Sequence, residues 1–165
     1  IQGSTFGDTI SVNNSSVDGG AGDDTLTGAG SSDTLNYVSA TANITVNLTT
    51  GSATDEHGDT DTLSGFETVR TGSGNDNVTG SDANESFYSG TGNDTVNAGD
   101  GDDVIYVNTG NDVIDGGAGN DTVNFATELP FTAILIDFAN LFINSITKNK
   151  PLRKSLRFSA IKTTS

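Results

Sequence analysis

The 165-residue chain has no Cys, Met or Trp, and only one His, two Pro and seven Lys plus Arg. Without Cys there are no disulfides, no thiolate metal sites and no cysteine nucleophile. The lone His57 cannot build a multi-histidine metal centre. No apolar run reaches the roughly 18 residues that crossing a bilayer requires, so no transmembrane segment is expected. Hydrophobic residues make up 32% of the chain, too little for a generous isotropic core. Because the chain opens at Ile1 inside Gly- and Asp-rich sequence, with neither Met nor a leader, we expect a segment of something longer.

Acid is plentiful: 22 Asp plus Glu give a formal net charge of -15. Its distribution is uneven. Residues 1–147 hold every acidic group and a single base, Arg70, whereas residues 148–165 hold six bases and no acid. Such a body needs counterions and has little reason to bind nucleic acid.

Glycine is the other abundant residue, with 21 copies, and its spacing reveals a repeat. In nines, residues 71–124 read TGSGNDNVT, GSDANESFY, SGTGNDTVN, AGDGDDVIY, VNTGNDVID and GGAGNDTVN. The fourth position is Gly74, Ala83, Gly92, Gly101, Gly110 and Gly119. The sixth is Asp76, Glu85, Asp94, Asp103, Asp112 and Asp121, and the eighth is always apolar: Val78, Phe87, Val96, Ile105, Ile114 and Val123. Two further units, GGAGDDTLT and GAGSSDTLN at 19–36, place Asp24 and Asp33 at the acidic position.

Each unit divides into a glycine-rich turn of six residues and a strand of three. Strand side chains alternate between faces, so the eighth residue points inward while its neighbours face out. A strand this short must stack on its repeats. Two units then close one coil of 18 residues, and equivalent strands lie in parallel about 4.8 Å apart. Asp76, Asp94 and Asp112 share one edge of that solenoid; Glu85, Asp103 and Asp121 share the other.

Stacked carboxylates repel one another, and a low-dielectric turn raises their pKa values. A cation between coils reverses the sign of the interaction. Carboxylates 18 residues apart, joined by carbonyls of Gly74, Gly92, Gly101, Gly110 and Gly119, form an all-oxygen site that favours Ca²⁺ over the stricter Mg²⁺. Few inward side chains oppose the entropy of ordering so many residues, so ion binding is expected to contribute to folding itself. The alternatives are a disordered Gly-Asp-Asn linker and an ion-free solenoid held by Asn ladders.

The units resemble the RTX (repeats-in-toxin), or haemolysin-type, nonapeptide G-G-x-G-x-D-x-[large apolar]-x. GGAGDDTLT at 19–27 and GGAGNDTVN at 116–124 match it at every defined position. The resemblance implies an all-β, right-handed parallel β-roll with calcium between coils, in bacterial proteins exported by the type I secretion machinery. Two departures weaken individual sites. Glu85, behind Ala83, carries an extra methylene, and Ser31 replaces the fourth glycine before Asp33. Asp24 and Asp33 also lack carboxylates 18 residues on, where Ala42 and Gly51 stand, so their partners are expected from the irregular stretch or another molecule.

Outside the repeats, residues 1–18 are expected to form a frayed opening coil. Residues 37–70 read as a wider coil spliced into the roll, with Ile44, Val46 and Leu48 alternating along a strand. His57, crowded by Asp55, Glu56, Asp59 and Asp61, reads as an exposed loop residue whose pKa is raised by those neighbours; a zinc or general-base role is the minor reading. The roll thus spans 1–124. Residues 125–147, the densest apolar stretch, are expected to cap its open end, as a helix or otherwise, and 148–165 to form a basic tail. The export signal that the resemblance implies near the C-terminus would fall in 125–165.

The function expected is a calcium-dependent β-roll module of a secreted, extracellular protein, with structural support as its role. The alternative is a calcium-dependent module that binds a polysaccharide or cell surface, with Arg70, Tyr88, Tyr106 and Asn97 facing outward. No catalytic residue is expected, because no Ser-His-Asp set or HExxH motif is present.

Overall fold

The computed structural model describes residues 1–125, and within them the chain forms fourteen strands and no helix. The first eight are β1 (Thr9–Val12), β2 (Ser16–Val17), β3 (Thr25–Gly28), β4 (Thr34–Asn36), β5 (Thr45–Asn47), β6 (Ser52–Thr54), β7 (Thr60–Ser64) and β8 (Thr68–Arg70). The regular repeats add β9 (Asn77–Thr79), β10 (Ser86–Tyr88), β11 (Thr95–Asn97), β12 (Val104–Val107), β13 (Val113–Asp115) and β14 (Thr122–Phe125). Each repeat contributes one short strand, rich in Val and Thr, and the glycine turn that follows sends the chain to the opposite sheet.

Two sheets result. One has eight strands in the order β1-β3-β7-β6-β5-β9-β11-β13, the other six in the order β14-β12-β10-β8-β4-β2. Within the regular repeats the pairing is parallel and in register at 18 residues: Val78 stands beside Val96 and Val96 beside Ile114, while Phe87 stands beside Ile105 and Ile105 beside Val123. This is a parallel β-solenoid with one turn per strand of the six-stranded sheet.

The core is the file of eighth-position side chains between the sheets. Leu26, Leu35, Val69, Val78, Phe87, Val96 and Ile105 are almost completely buried. Ile114 and Val123, in the last described coil, are half-buried. Phe87 is the largest fully buried side chain. Phe87→Ala is therefore expected to cost about 3–5 kcal/mol in urea unfolding under saturating calcium, the range for deleting a large core side chain.

The N-terminal coil is ordered where fraying was expected. β1 pairs with β3 and β2 with β4, both in parallel, and Val12 and Val17 are buried in the same core. Residues 37–70 also differ from a simple wide coil. β6 runs antiparallel between β5 and β7, which adds a hairpin to the larger sheet, while β4 pairs directly with β8 on the other side. The turns explain the reversal. Gly51, at φ 68°, closes the β5–β6 connection, and Asp55 Oδ1 accepts the N–H groups of His57 (2.9 Å) and Asp59 (3.0 Å) in the β6–β7 connection. Phe125 ends β14 and belongs to the roll; the rest of the expected cap and the basic tail lie outside the described residues.

Candidate metal centre

The parallel register places each sixth-position residue beside its equivalent in the next coil, and a hydrogen-bond ladder fixes the arrangement. The Asp76 N–H donates to Asp94 Oδ1 at 2.9 Å, and the Asp94 N–H donates to Asp112 Oδ1 at 2.9 Å. On the other edge the Glu85 N–H donates to Asp103 Oδ1 at 2.8 Å and the Asp103 N–H to Asp121 Oδ1 at 3.1 Å. The carboxylates separated by 18 residues are therefore brought together as their spacing requires.

Only one oxygen of each carboxylate is used by this ladder. The second oxygens of Asp24, Asp76, Asp94 and Asp103 are buried with no hydrogen-bond partner. A buried charged acceptor left unsatisfied costs more than the roughly 1–3 kcal/mol of a neutral one. Burial accordingly pushes the Asp94 and Asp103 carboxyls up to about 6. It also raises Glu85, Asp112 and Asp24 above the usual carboxylate range.

The glycine turns pack closely against these carboxylates. A Cβ on Gly19 would overlap Asp24 Oδ2, and one on Gly116 would stand 2.6 Å from Asp121 Oδ2. The fourth glycine serves a second purpose. Gly92 has φ 135°, and a Cβ there would overlap the Gly74 carbonyl oxygen of the preceding coil. Buried carboxylate oxygens without hydrogen-bond partners, with no sulfur or imidazole nearby, fit a hard divalent cation of calcium type.

Asp24 and Asp33 find their partners in the irregular stretch. The Asp24 N–H donates to Asp61 Oδ1 at 3.1 Å, and the Asp33 N–H to Glu67 Oε2 at 2.8 Å. Asp61 and Glu67 thus occupy the sixth position of coils the nine-residue frame does not reveal. The clue in the sequence is an acid two residues before an inward apolar side chain: Asp61 before Leu63 and Glu67 before Val69, as Asp76 stands before Val78.

Two substitutions close the arrangement with protein groups. The Glu85 carboxylate folds onto its own turn, accepting from the Ser81 N–H at 2.9 Å and contacting the Ser81 hydroxyl. The Glu67 N–H meanwhile donates to the Asp33 carbonyl at 3.3 Å, so the carboxylate ladder is interrupted between β8 and β10. At Asp61, the second oxygen accepts the phenol hydroxyl of buried Tyr37 at 2.6 Å. Tyr37 thus supplies a proton donor where neighbouring coils leave an oxygen open. Tyr37→Phe is expected to cost about 1–3 kcal/mol by leaving Asp61 Oδ2 unsatisfied. Urea unfolding of the two proteins in saturating calcium measures the difference.

A second ladder, weighed in the sequence only as an ion-free alternative, accompanies the first. Asn75 N–H donates to Asn43 Oδ1, Asn93 N–H to Asn75 Oδ1 and Asn111 N–H to Asn93 Oδ1, each at 2.8 Å. These fifth-position amides lie on the exposed side of the turn and leave the buried carboxylate oxygens unsatisfied.

His57 is exposed, with Nδ1 3.1 Å from Asp55 Oδ2, and that hydrogen bond raises its pKa. Asp55, His57 and Asp59 offer ligand atoms within 4.8 Å of one another, but the β6–β7 turn already accounts for their grouping. The outward residues separate by sheet. Arg70, Tyr88 and Tyr106 align on the six-stranded sheet, whereas Asn97 lies on the eight-stranded one.

The fold is a parallel β-roll with paired carboxylates along its turns. The sequence model of the RTX calcium-binding nonapeptide repeat, in four copies, matches residues 11–37, 61–96 and 88–123, together more than half of the chain. This chain belongs to the RTX calcium-binding nonapeptide repeat family. No curated protein is similar enough to the chain to count as a match.

Proposed function

We propose that the chain is the calcium-gated β-roll of a secreted bacterial protein, extended during type I export and folded when it meets extracellular calcium. The observation that carries this reading is the set of buried carboxylate oxygens without partners, on Asp24, Asp76, Asp94 and Asp103. A chain that must bury such groups folds poorly without a cation and well with one. The ligands would be Asp76, Asp94 and Asp112 along one edge and Asp103 and Asp121 along the other, with Gly74, Gly92, Gly101, Gly110 and Gly119 supplying carbonyls. Asp24 would add its open oxygen, whereas Asp61, whose second oxygen takes the Tyr37 hydroxyl, and Asp33, whose two oxygens take the Ser15 and Gly30 N–H groups, would contribute little. Glu85, already held by Ser81, would contribute least. The role is structural support for the protein to which the roll is joined, without catalysis of its own.

Calcium affinity tests the gating. Export in an extended state requires a midpoint in the range of extracellular modules, on the order of 10⁻⁴–10⁻³ M. A far-ultraviolet circular dichroism titration that gave a midpoint near 10⁻⁶ M or below would place folding inside the cell and contradict the reading.

A further inference from the structure

The buried carboxylates divide by position along the roll. In residues 1–70 the buried acids are Asp24, Asp33, Asp55 and Asp61. All but Asp24 have both oxygens engaged by the chain itself. Asp33 accepts the Ser15 and Gly30 N–H groups at 2.9 and 2.6 Å, and Asp61 accepts the Asp24 N–H at 3.1 Å and the Tyr37 hydroxyl at 2.6 Å. Asp55 Oδ1 accepts the His57 and Asp59 N–H groups, and its Oδ2 pairs with His57 Nδ1 at 3.1 Å. Only Asp24 keeps an open oxygen. From residue 71 the pattern reverses. Buried Asp76, Asp94 and Asp103 each keep one oxygen open, and only Glu85 is held at both, by Ser81.

Strand pairing draws the same boundary. β1, β3, β7, β6 and β5 are consecutive in the larger sheet, and β8, β4 and β2 in the smaller. Residues 1–70 are therefore an uninterrupted block that pairs with the repeats only through β5 with β9 and β8 with β10. Neither junction continues the carboxylate ladder. Asp76 Oδ1 accepts the N–H of Ile44, at 2.8 Å, where the next coils present the N–H of an aspartate. On the other edge the Glu67 N–H donates to the Asp33 carbonyl, not to Glu85. Among the described residues the block also holds twelve of the eighteen buried apolar side chains, and the repeats hold six. It has less buried charge left to neutralise and more apolar burial to offset chain entropy.

We propose that calcium folds this roll in a fixed order: residues 1–70 form first, as a nucleus, and the repeats of 71–124 add to it coil by coil. This order rests on the calcium-gated folding proposed above and says where that folding begins. The open oxygen of Asp24 keeps the nucleus calcium-dependent, while the repeats wait for ions at Asp76, Asp94 and Asp103. In a solenoid each coil is stabilised by its neighbours, so structure spreads from the coils that are most stable alone. Once formed, β5 and β8 offer the two edges on which β9 and β10 pair.

The test is hydrogen–deuterium exchange, read by mass spectrometry, on the full chain across a calcium titration. Amides of β4 and β7 report the nucleus, and those of β11 and β12 the repeats. All four should be unprotected in chelator, and β4 and β7 should gain protection at a calcium concentration about tenfold below that for β11 and β12. Tyr37→Phe opens Asp61 Oδ2 and should raise the midpoint of the nucleus and, with it, that of the repeats. Asp94→Asn should shift the repeats alone. A common midpoint for all four strands overturns the order, as does earlier protection of β11 and β12 or an equal shift of both regions in Asp94→Asn. If Tyr37→Phe keeps the nucleus open at every calcium level, repeats that still gain full protection overturn it too. A common midpoint that depends on calcium removes only the order; equal protection with and without calcium removes the gating as well.

Discussion

Chelating calcium at neutral pH is expected to reduce the β-sheet circular dichroism signal to that of an unfolded chain and to expand the protein in solution; restoring calcium should reverse both. The reason is local to the turns. Asp94 and Asp103 are each 1% exposed, and each uses one carboxylate oxygen in the ladder while leaving the other buried without a partner. Repeated from coil to coil, that arrangement accumulates negative charge in a poorly solvated place. The core offsets little of it, because each repeat contributes one inward side chain. The Asn ladder supplies hydrogen bonds along the exposed edge but no positive charge. Superimposable spectra with and without chelator would show that the stacked carboxylates tolerate their burial unaided.

Protons should partly replace the ion. Burial lifts the Asp94 and Asp103 carboxyls from the ordinary value of 3.8 to about 6. Across that interval the folded chain holds more protons than the unfolded one, so stability rises as pH falls through about 6 and levels off below 3.8. A chelated chain, unfolded at pH 7.5 on this account, is therefore expected to gain β-sheet signal between about pH 6 and pH 4. Calcium-loaded protein should respond in the opposite sense, its calcium midpoint rising over the same range as protons compete for the carboxylates. Circular dichroism at stepped pH, with and without calcium, measures both. A chelated chain that lost structure on acidification would show that the carboxylates stabilise the fold as anions without an ion.

Much of this architecture was legible in the repeat. The apolar eighth position identified the core from Val78 to Ile105, and the 18-residue interval gave the register that places Asp76 beside Asp94. The irregular stretch was less legible for a physical reason. Its coils keep the acid and the inward side chain, as in Asp61 with Leu63 and Glu67 with Val69, but Asp59 stands where the fourth glycine would be. The spacing from Leu26 to its neighbour Leu63 is 37 residues, so an 18-residue frame passes over it. The antiparallel β6 follows from turns built by Gly51 and Asp55, and no repeat period encodes them. Residues 1–18 looked frayed because they repeat the nine-residue theme only loosely, and the structure puts Ser15 where the next coil has Asp33. The Ser15 N–H nonetheless donates to Asp33 Oδ1 at 2.9 Å, which ties that coil to the next. The phenol of Tyr37 on Asp61 was invisible in one dimension, since it depends on a tyrosine 24 residues away meeting a buried carboxylate.

Anomalous diffraction from crystals grown in millimolar calcium addresses the central claim most directly. The account predicts calcium peaks between the carboxylates of Asp76 and Asp94, of Asp94 and Asp112, and of Asp103 and Asp121, with the weakest density at Glu85. Well-ordered turns without anomalous density, their carboxylates contacting only backbone amides and water, would contradict it.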